Sequence, residues 1–363
     1  DEIQNSDIAI KSLRYFYEEF PQLHVIAAGS SLEIRMKSEG WSFPVGRVEF
    51  LYLYPIPFNE FLAITGHNQI LEELNKMDLT SRLADVVHEK LIDLFVDYLV
   101  VGGMPECVDV YLSTQSFLDV KKVQLTIQES INEDFPKYAK EALVEYLQLL
   151  WNKLPFELGQ RIKYSQLTEI PEKAKKIVSA FNVLHDAMLV ERAFPTSNIQ
   201  LPLEKKTKSA PKAFLLDVGL CAQILNLSTE QIREQIIKDT LVGGLMEAFV
   251  HQEIMALDSL KRELLYFWVR EEKGAVAETD FLYAYKNAIY PIEVKHGSHG
   301  SLKSLHQFLK RSGSKIGIKI SSGPLKIEKL TVHLPDGEML AYDLLSVPFY
   351  LLFRLKDFIQ DGH

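Results

Sequence analysis

With 363 residues, 47% of them apolar and 25% charged, the chain has material for several packed domains and lacks the composition of a disordered or fibrous protein. A formal charge of −9 argues against a protein that coats nucleic acid along its whole surface. Two cysteines, Cys107 and Cys221, argue against a disulfide framework or a cysteine-rich zinc site. No apolar run approaches the ~20 residues of a membrane helix, so no membrane partner is expected and cytoplasmic residence follows.

The chain opens on Asp1-Glu2-Ile3-Gln4, followed by a helical pattern over 7–19. An apolar run at 24–28 ends in Gly29-Ser30-Ser31, and a second, at 48–53, follows Gly46-Arg47. Strand, helix and strand, with both strands apolar on either face, predict a parallel α/β sheet. After Pro55-Ile56-Pro57-Phe58-Asn59-Glu60-Phe61 the pattern turns helical from 68 to about 110, with leucines at three- and four-residue steps. Val101-Gly102-Gly103-Met104-Pro105 reads as a helix stop and turn.

A second helical set spans about 142–194 and leads to a strand at 212–216. Three helices and a hairpin with a basic tip read as a winged helix. Lys173, Lys175 and Lys176 would open its recognition helix, and Lys205, Lys206 and Lys208 would lie in its wing. Duplex DNA contact, and intramolecular packing or oligomerisation, are equally open readings of this unit. Asp217-Val218-Gly219-Leu220 then leads into a helix over 241–257 carrying Glu247, a strand at 266–270, and a hairpin over 278–295. A helix over 302–311, a strand at 315–320 and an apolar tail from 340 to 358 complete the chain. The order αβββαβ emerges over 241–320.

The hairpin holds the most specific chemistry. Two runs rich in aromatic and β-branched residues flank a Lys286-Asn287 turn. Alternation puts Glu293 and Lys295 on one face, and antiparallel pairing brings Asp280 within cross-strand reach of Glu293. Carboxylates so placed suit Mg²⁺ or Mn²⁺, with a lysine to orient metal-bound water or steady developing charge. Between residues 286 and 319, seven Lys/Arg face one acid, and Lys303, Lys310 and Arg311 would form a basic rim. His296, His299 and His306 lack convincing metal-ligand spacing.

These residues resemble two families. Asp280 with Glu293-Val294-Lys295 resembles the PD-(D/E)xK nuclease superfamily, and Glu247 fits that family's further acid on a preceding helix. The first 61 residues resemble the second half of an AAA+ ATPase core, and the whole resembles ATPases with a C-terminal DUF4143 region. That resemblance implies Asp1 as a Mg²⁺ ligand, Glu2 as the residue orienting the attacking water, Ser30 or Ser31 at the sensor position and Arg47 as an arginine finger. No G-x-x-x-x-G-K-[ST] occurs in the 363 residues, so the phosphate loop is expected upstream or lost.

The expected architecture is α/β multidomain: 1–64 as the C-terminal part of an AAA+ core, 65–140 as a helical lid, 141–215 as a winged helix, and 216–363 as a restriction-endonuclease-like α/β domain. The implied cofactors are ATP and Mg²⁺ or Mn²⁺. Nucleotide, DNA and further copies of the chain are the implied partners. Three functions stay open: a DNA-associated ATPase with a metal-dependent nuclease site, an ATPase switch with a non-catalytic docking fold, and a DNA-binding regulator.

Overall fold

The computed structural model describes residues 1–29, 32, 46–164, 167, 174–206, 209–238, 243–260, 262, 265–272, 275–295 and 301–362. Helix α1 (Asp7–Glu19) starts where the Ser6 hydroxyl accepts from Ala9 N, satisfying one of the amides a helix start leaves open. The two expected N-terminal strands differ from expectation. Residues 24–28 and 48–53 are irregular and largely exposed, Ile26 and Leu53 almost wholly so. An apolar run becomes a buried strand only if neighbours cover both faces. Among the described residues these runs form no ladder; isolated backbone bonds run from Ile3 N to Ala28 O and from Tyr52 N to Ser259 O.

The helical segment follows as α2 (Phe58–Ile64), α3 (Asn68–Lys76), α4 (Asp85–Val101), α5 (Pro105–Thr114), α6 (Phe117–Tyr138), α7 (Glu141–Lys153) and α8 (Ala174–Asp186). It is continuous in packing with the C-terminal part. Phe95 of α4 stacks on Phe349 at 4.9 Å and meets Phe249 edge-on at 4.7 Å, within one large apolar core. Helices α9 (Val218–Ile224), α10 (Thr229–Lys238) and α11 (Gly243–Ala256) lead into the sheet region.

Nine described strands form a mixed sheet: β1 (Val190–Thr196), β2 (Lys212–Leu215), β3 (Leu265–Glu272), β4 (Ala275–Glu278), β5 (Phe281–Tyr285), β6 (Ala288–Lys295), β7 (Ile316–Ser321), β8 (Lys326–His333) and β9 (Met339–Pro348). Their order is β2-β1-β3-β5-β6-β7-β9-β8, with β4 paired to β3 alone. Helix α12 (Lys303–Ser312) links β6 to β7, which run parallel, and α13 (Leu355–Asp361) closes the chain. The β1–β2 hairpin is not a free-standing wing. Strand β1 lies parallel to β3, so the sheet runs across the boundary expected at 215/216.

A buried polar seam joins the parts. Phe58 N donates to Glu253 Oε1 at 2.9 Å, and Tyr98 OH donates to Ile56 O at 2.6 Å while accepting from Gln252 Nε2 at 2.7 Å. Gly103 N and Leu220 N donate to the two oxygens of the buried Asp217 carboxylate at 2.7 and 2.9 Å. Closeness dictates the glycines here. A Cβ on Gly219 would lie 2.6 Å from Gly102 Cα, and Gly102 itself adopts φ +77°.

Burial lifts Glu253 from 4.5 to about 8, against the Phe58 amide bond that lowers it. An acid raised in the fold binds its proton more tightly folded than unfolded, so its contribution is full below pH 4.5 and is lost as pH climbs toward 8. Replacing Glu253→Gln keeps an acceptor for Phe58 N and removes this titration. Urea denaturation from pH 5 to 8 is expected to show the loss of stability with pH flattened by up to about 1.4 kcal/mol per pH unit relative to the wild type. An unchanged slope would refute the assignment.

Candidate functional site

The β5–β6 register sets Phe281 against Ile292, and one further step sets Asp280 opposite Glu293. The turn is tight because Lys286 takes φ +52°, the left-handed conformation such two-residue turns need. Asp280 Oδ2 accepts from Val294 N at 2.7 Å, and Lys295 Nζ reaches Glu293 Oε2 at 3.0 Å. Glu293 is buried, and its other oxygen, Oε1, has no partner among the described residues.

At the centre is a residue whose burial the sequence does not announce. Lys212, the first residue of β2, is only 1% exposed. Its Nζ lies 2.8 Å from Glu247 Oε2, 3.3 Å from Glu278 Oε1 and 3.8 Å from Asp280 Oδ1. The ammonium sits over the rings of Phe267 and Phe281, 5.3 and 5.9 Å from their centroids. An ammonium so buried survives only when ringed by opposite charge. Burial alone would lower Lys212; Glu247, Asp280 and Glu278 outweigh it and hold the ammonium above an ordinary lysine.

Arg161 extends the cluster. Its Nε donates to Glu278 Oε2 at 2.6 Å, and its guanidinium pairs with Glu271, which also accepts from Lys206 Nζ at 2.6 Å. Those two cations hold Glu271 down to about 2. Burial pushes Glu247 and Glu293 above the carboxylate range; Asp280 adds to this, while Lys212 and Lys295 pull the other way. Lys295 is raised on balance, with burial opposed by Glu293 and Asp280. Nearby, burial presses the fully enclosed His251, stacked on Phe214, down to about 4, so it is neutral at pH 7.

Glu247, Asp280, Glu293 and Lys295 are therefore brought together, but with a second ammonium among them. At ~4 Å and an effective dielectric of 20, a unit charge attracts or repels a divalent ion by roughly 8 kcal/mol. Two ammonium ions thus offset about as much attraction as two carboxylates supply. No group of three or more His, Cys, Asp or Glu among the described residues is arranged to hold a metal ion. Two signals in the sequence point to the missed partners. Glu278 precedes Asp280 by two, the same-face spacing of Glu293 and Lys295, and Lys212 opens an apolar strand.

The other expected site residues lie elsewhere. Asp1 Oδ1 accepts from Glu2 N, and Glu2 Oε2 accepts from Gln4 Nε2 at 2.6 Å. Arg47 pairs with Glu18 of α1 at 3.0 Å. Ser30, Ser31, Lys173, Lys208, His296 and His299 lie outside the described residues. Of the basic candidates, Lys175 and Lys303 are exposed. Lys176 and Lys205 sit over the rings of Tyr146 and Phe194, and Lys310 binds both Asp336 and Glu338. Arg311 is on the exposed side of α12, and His306 Nε2 bonds the Tyr342 hydroxyl at 2.9 Å.

Comparison with known families follows this layout. Residues 1–62 match an AAA domain, residues 92–231 a domain of unknown function, DUF8612, and residues 242–335 a domain of unknown function, DUF4143. The chain joins an AAA-domain segment to a C-terminal DUF4143 region. Its AAA segment is consistent with ATP binding, which in such domains is ordinarily Mg²⁺-dependent. The DUF4143 match takes in Glu247, Glu278, Asp280, Glu293 and Lys295, whereas Lys212 comes from the DUF8612 match. The turn at 102–105 and the 217–220 step also fall within the DUF8612 match. No curated protein and no solved structure matches the chain. No helix among the described residues is long and apolar enough to cross a membrane.

Truncating Lys212→Ala strips the counter-charge from buried carboxylates and is expected to cost about 3–5 kcal/mol in urea denaturation at pH 7. Adding Glu247→Gln to that variant should recover part of the loss. A cost below about 1 kcal/mol would mean that the ammonium does not hold this cluster together.

Proposed function

We propose that this protein is an ATP-binding, AAA-type switch whose C-terminal α/β domain is a non-catalytic docking fold. The observation that carries the reading is Lys212: its ammonium sits between Glu247 and Asp280, where a catalytic cation would need those same oxygens. A dication would have to enter against that charge or expel it into the wall formed by Phe267 and Phe281. The basic flank supports the same reading. Lys206 and Lys310 are spent on Glu271, Asp336 and Glu338, which leaves less positive charge for phosphates.

A second reading, a DNA-associated Mg²⁺-dependent nuclease, is favoured by one observation: Oε1 of Glu293, beside Asp280, has no partner among the described residues. In that reading Asp280 and Glu293 would hold the metal, which would supply Lewis acidity and a nucleophilic water. Lys295 would steady charge on the phosphate.

Incubating the full chain with single-stranded, duplex and branched DNA in Mn²⁺ separates the two. The docking-fold reading expects the DNA to stay intact in every case. Cleavage that is lost in Asp280→Asn while the variant remains folded would overturn it.

A further inference from the structure

Most cations around the β1–β2 hairpin are matched by acids. Lys206 binds Glu271 at 2.6 Å, Arg161 pairs with Glu271 and Glu278, and Arg262 pairs with Glu191. Two differ. Arg192 of β1 and Lys205 of the β1–β2 loop meet no carboxylate among the described residues. Both lie over the ring of Phe194, with Lys205 Nζ 3.7 Å and Arg192 Cζ 5.4 Å from its centroid. Arg192 Nη1 donates to Asn182 Oδ1 at 3.0 Å, and its guanidinium also bonds the Tyr164 hydroxyl. Its Nε is buried with no partner among the described residues. Burial lowers Lys205, and the charge of Arg192 lowers it further. Two like charges so placed disfavour each other until an anion joins them. The adjoining surface is apolar. Alternation puts Arg192 and Phe194 on one face of β1, and the register continues that row from Phe194 to Tyr266 of β3 and Leu282 of β5. The Phe194 and Tyr266 rings are 6.4 Å apart. Beyond Tyr266 opens a recess of about 300 Å³, lined by Tyr266, Leu282 and Ala284 from the sheet and by Leu201, Pro202 and Leu203 from the loop. With strands ~4.8 Å apart, it lies within about 10 Å of the two cations.

We infer that this face docks an extended acidic–apolar segment of a partner protein, whose carboxylate bridges Arg192 and Lys205 while an apolar side chain fills the recess. The inference rests on the docking-fold reading and deepens it by naming the surface and the partner's chemistry. Charge complementarity sets the sign of the partner, because two cations here await an anion. The recess sets its class. A carboxylate accepts charge-assisted bonds from both cations, and the neighbouring side chain adds apolar burial. A nucleic-acid backbone fits less well, since its phosphates call for a run of cations. Here Lys206 is neutralised by Glu271, and the exposed Glu204 stands next to Lys205.

The test pans the full chain against a phage library of random peptides and titrates the enriched peptides, fluorescein-labelled, by anisotropy. Wild type is compared with Arg192→Gln/Lys205→Gln and with Ala284→Phe, which fills the recess from an exposed position. The expected peptides carry Asp or Glu within a few positions of Leu, Ile, Phe or Trp. Each variant is expected to bind them roughly tenfold more weakly while melting at the wild-type temperature. Should the double variant melt early, Lys205→Gln alone, at an exposed position, carries the charge test with a loss of roughly threefold. Enriched peptides that lack acids, or that bind every variant as tightly as wild type, overturn the inference, as does a library that yields none. A labelled DNA duplex that binds the wild type and is released by the same variants would assign the face to nucleic acid and overturn it too. Each of these failures leaves the docking-fold reading standing, since that reading falls only on DNA cleavage lost in Asp280→Asn.

Discussion

One buried ammonium organises the C-terminal half of this molecule. Lys212 gathers Glu247 from α11, Glu278 from the end of β4 and Asp280 from the β4–β5 connection, and through Arg161 the loop after α7 joins the same cluster. Four acids, Glu247, Glu278, Asp280 and Glu293, face three cations, Lys212, Lys295 and Arg161, in an interior where an unmatched charge is costly. The edge hairpin β1–β2 is thereby tied to the sheet by charge as well as by its parallel pairing with β3. A domain boundary drawn between the hairpin and the sheet would cut through this cluster.

The second organising feature is the seam of backbone bonds at residues 56–58, 102–103, 217–220 and 252–253. Three phrases that stand out in the sequence meet there: Pro55-Ile56-Pro57-Phe58, Gly102-Gly103-Met104-Pro105 and Asp217-Val218-Gly219-Leu220. Each supplies a backbone donor or acceptor, or the carboxylate that satisfies one. The seam makes the end of the AAA segment continuous with the helical region and with α11. Helix α11 carries Glu253 into the seam and Glu247 into the Lys212 cluster, two turns of one helix facing two different tasks.

Much of the sheet region was legible because its periodicities are strong. The hairpin around Lys286, the helix before it and the strand at 316–321 fall within a residue or two of where alternation and three-to-four spacing put them. Asp280 opposite Glu293 followed from the turn alone. Lys212 did not, since a lysine near three others in sequence looks solvated until the sheet order shows what lies over it. Strand β8 escaped because its Lys326, Glu328 and Lys329 mark a charged edge rather than an alternating core strand. The runs at 24–28 and 48–53 misled in the opposite direction, since a strand's apolarity says nothing about whether a neighbour is there to pair with it.

The claim that Lys212 holds the oxygens a catalytic cation would need is tested most directly by diffraction. Crystals of the wild-type chain grown with MnCl₂, measured at the manganese absorption edge, would locate any bound ion and Lys212 in one map. The account predicts Lys212 Nζ in contact with Glu247 and no anomalous peak at the carboxylates. A manganese peak bridging Asp280 and Glu293, with the Lys212 side chain turned away from Glu247, would contradict it.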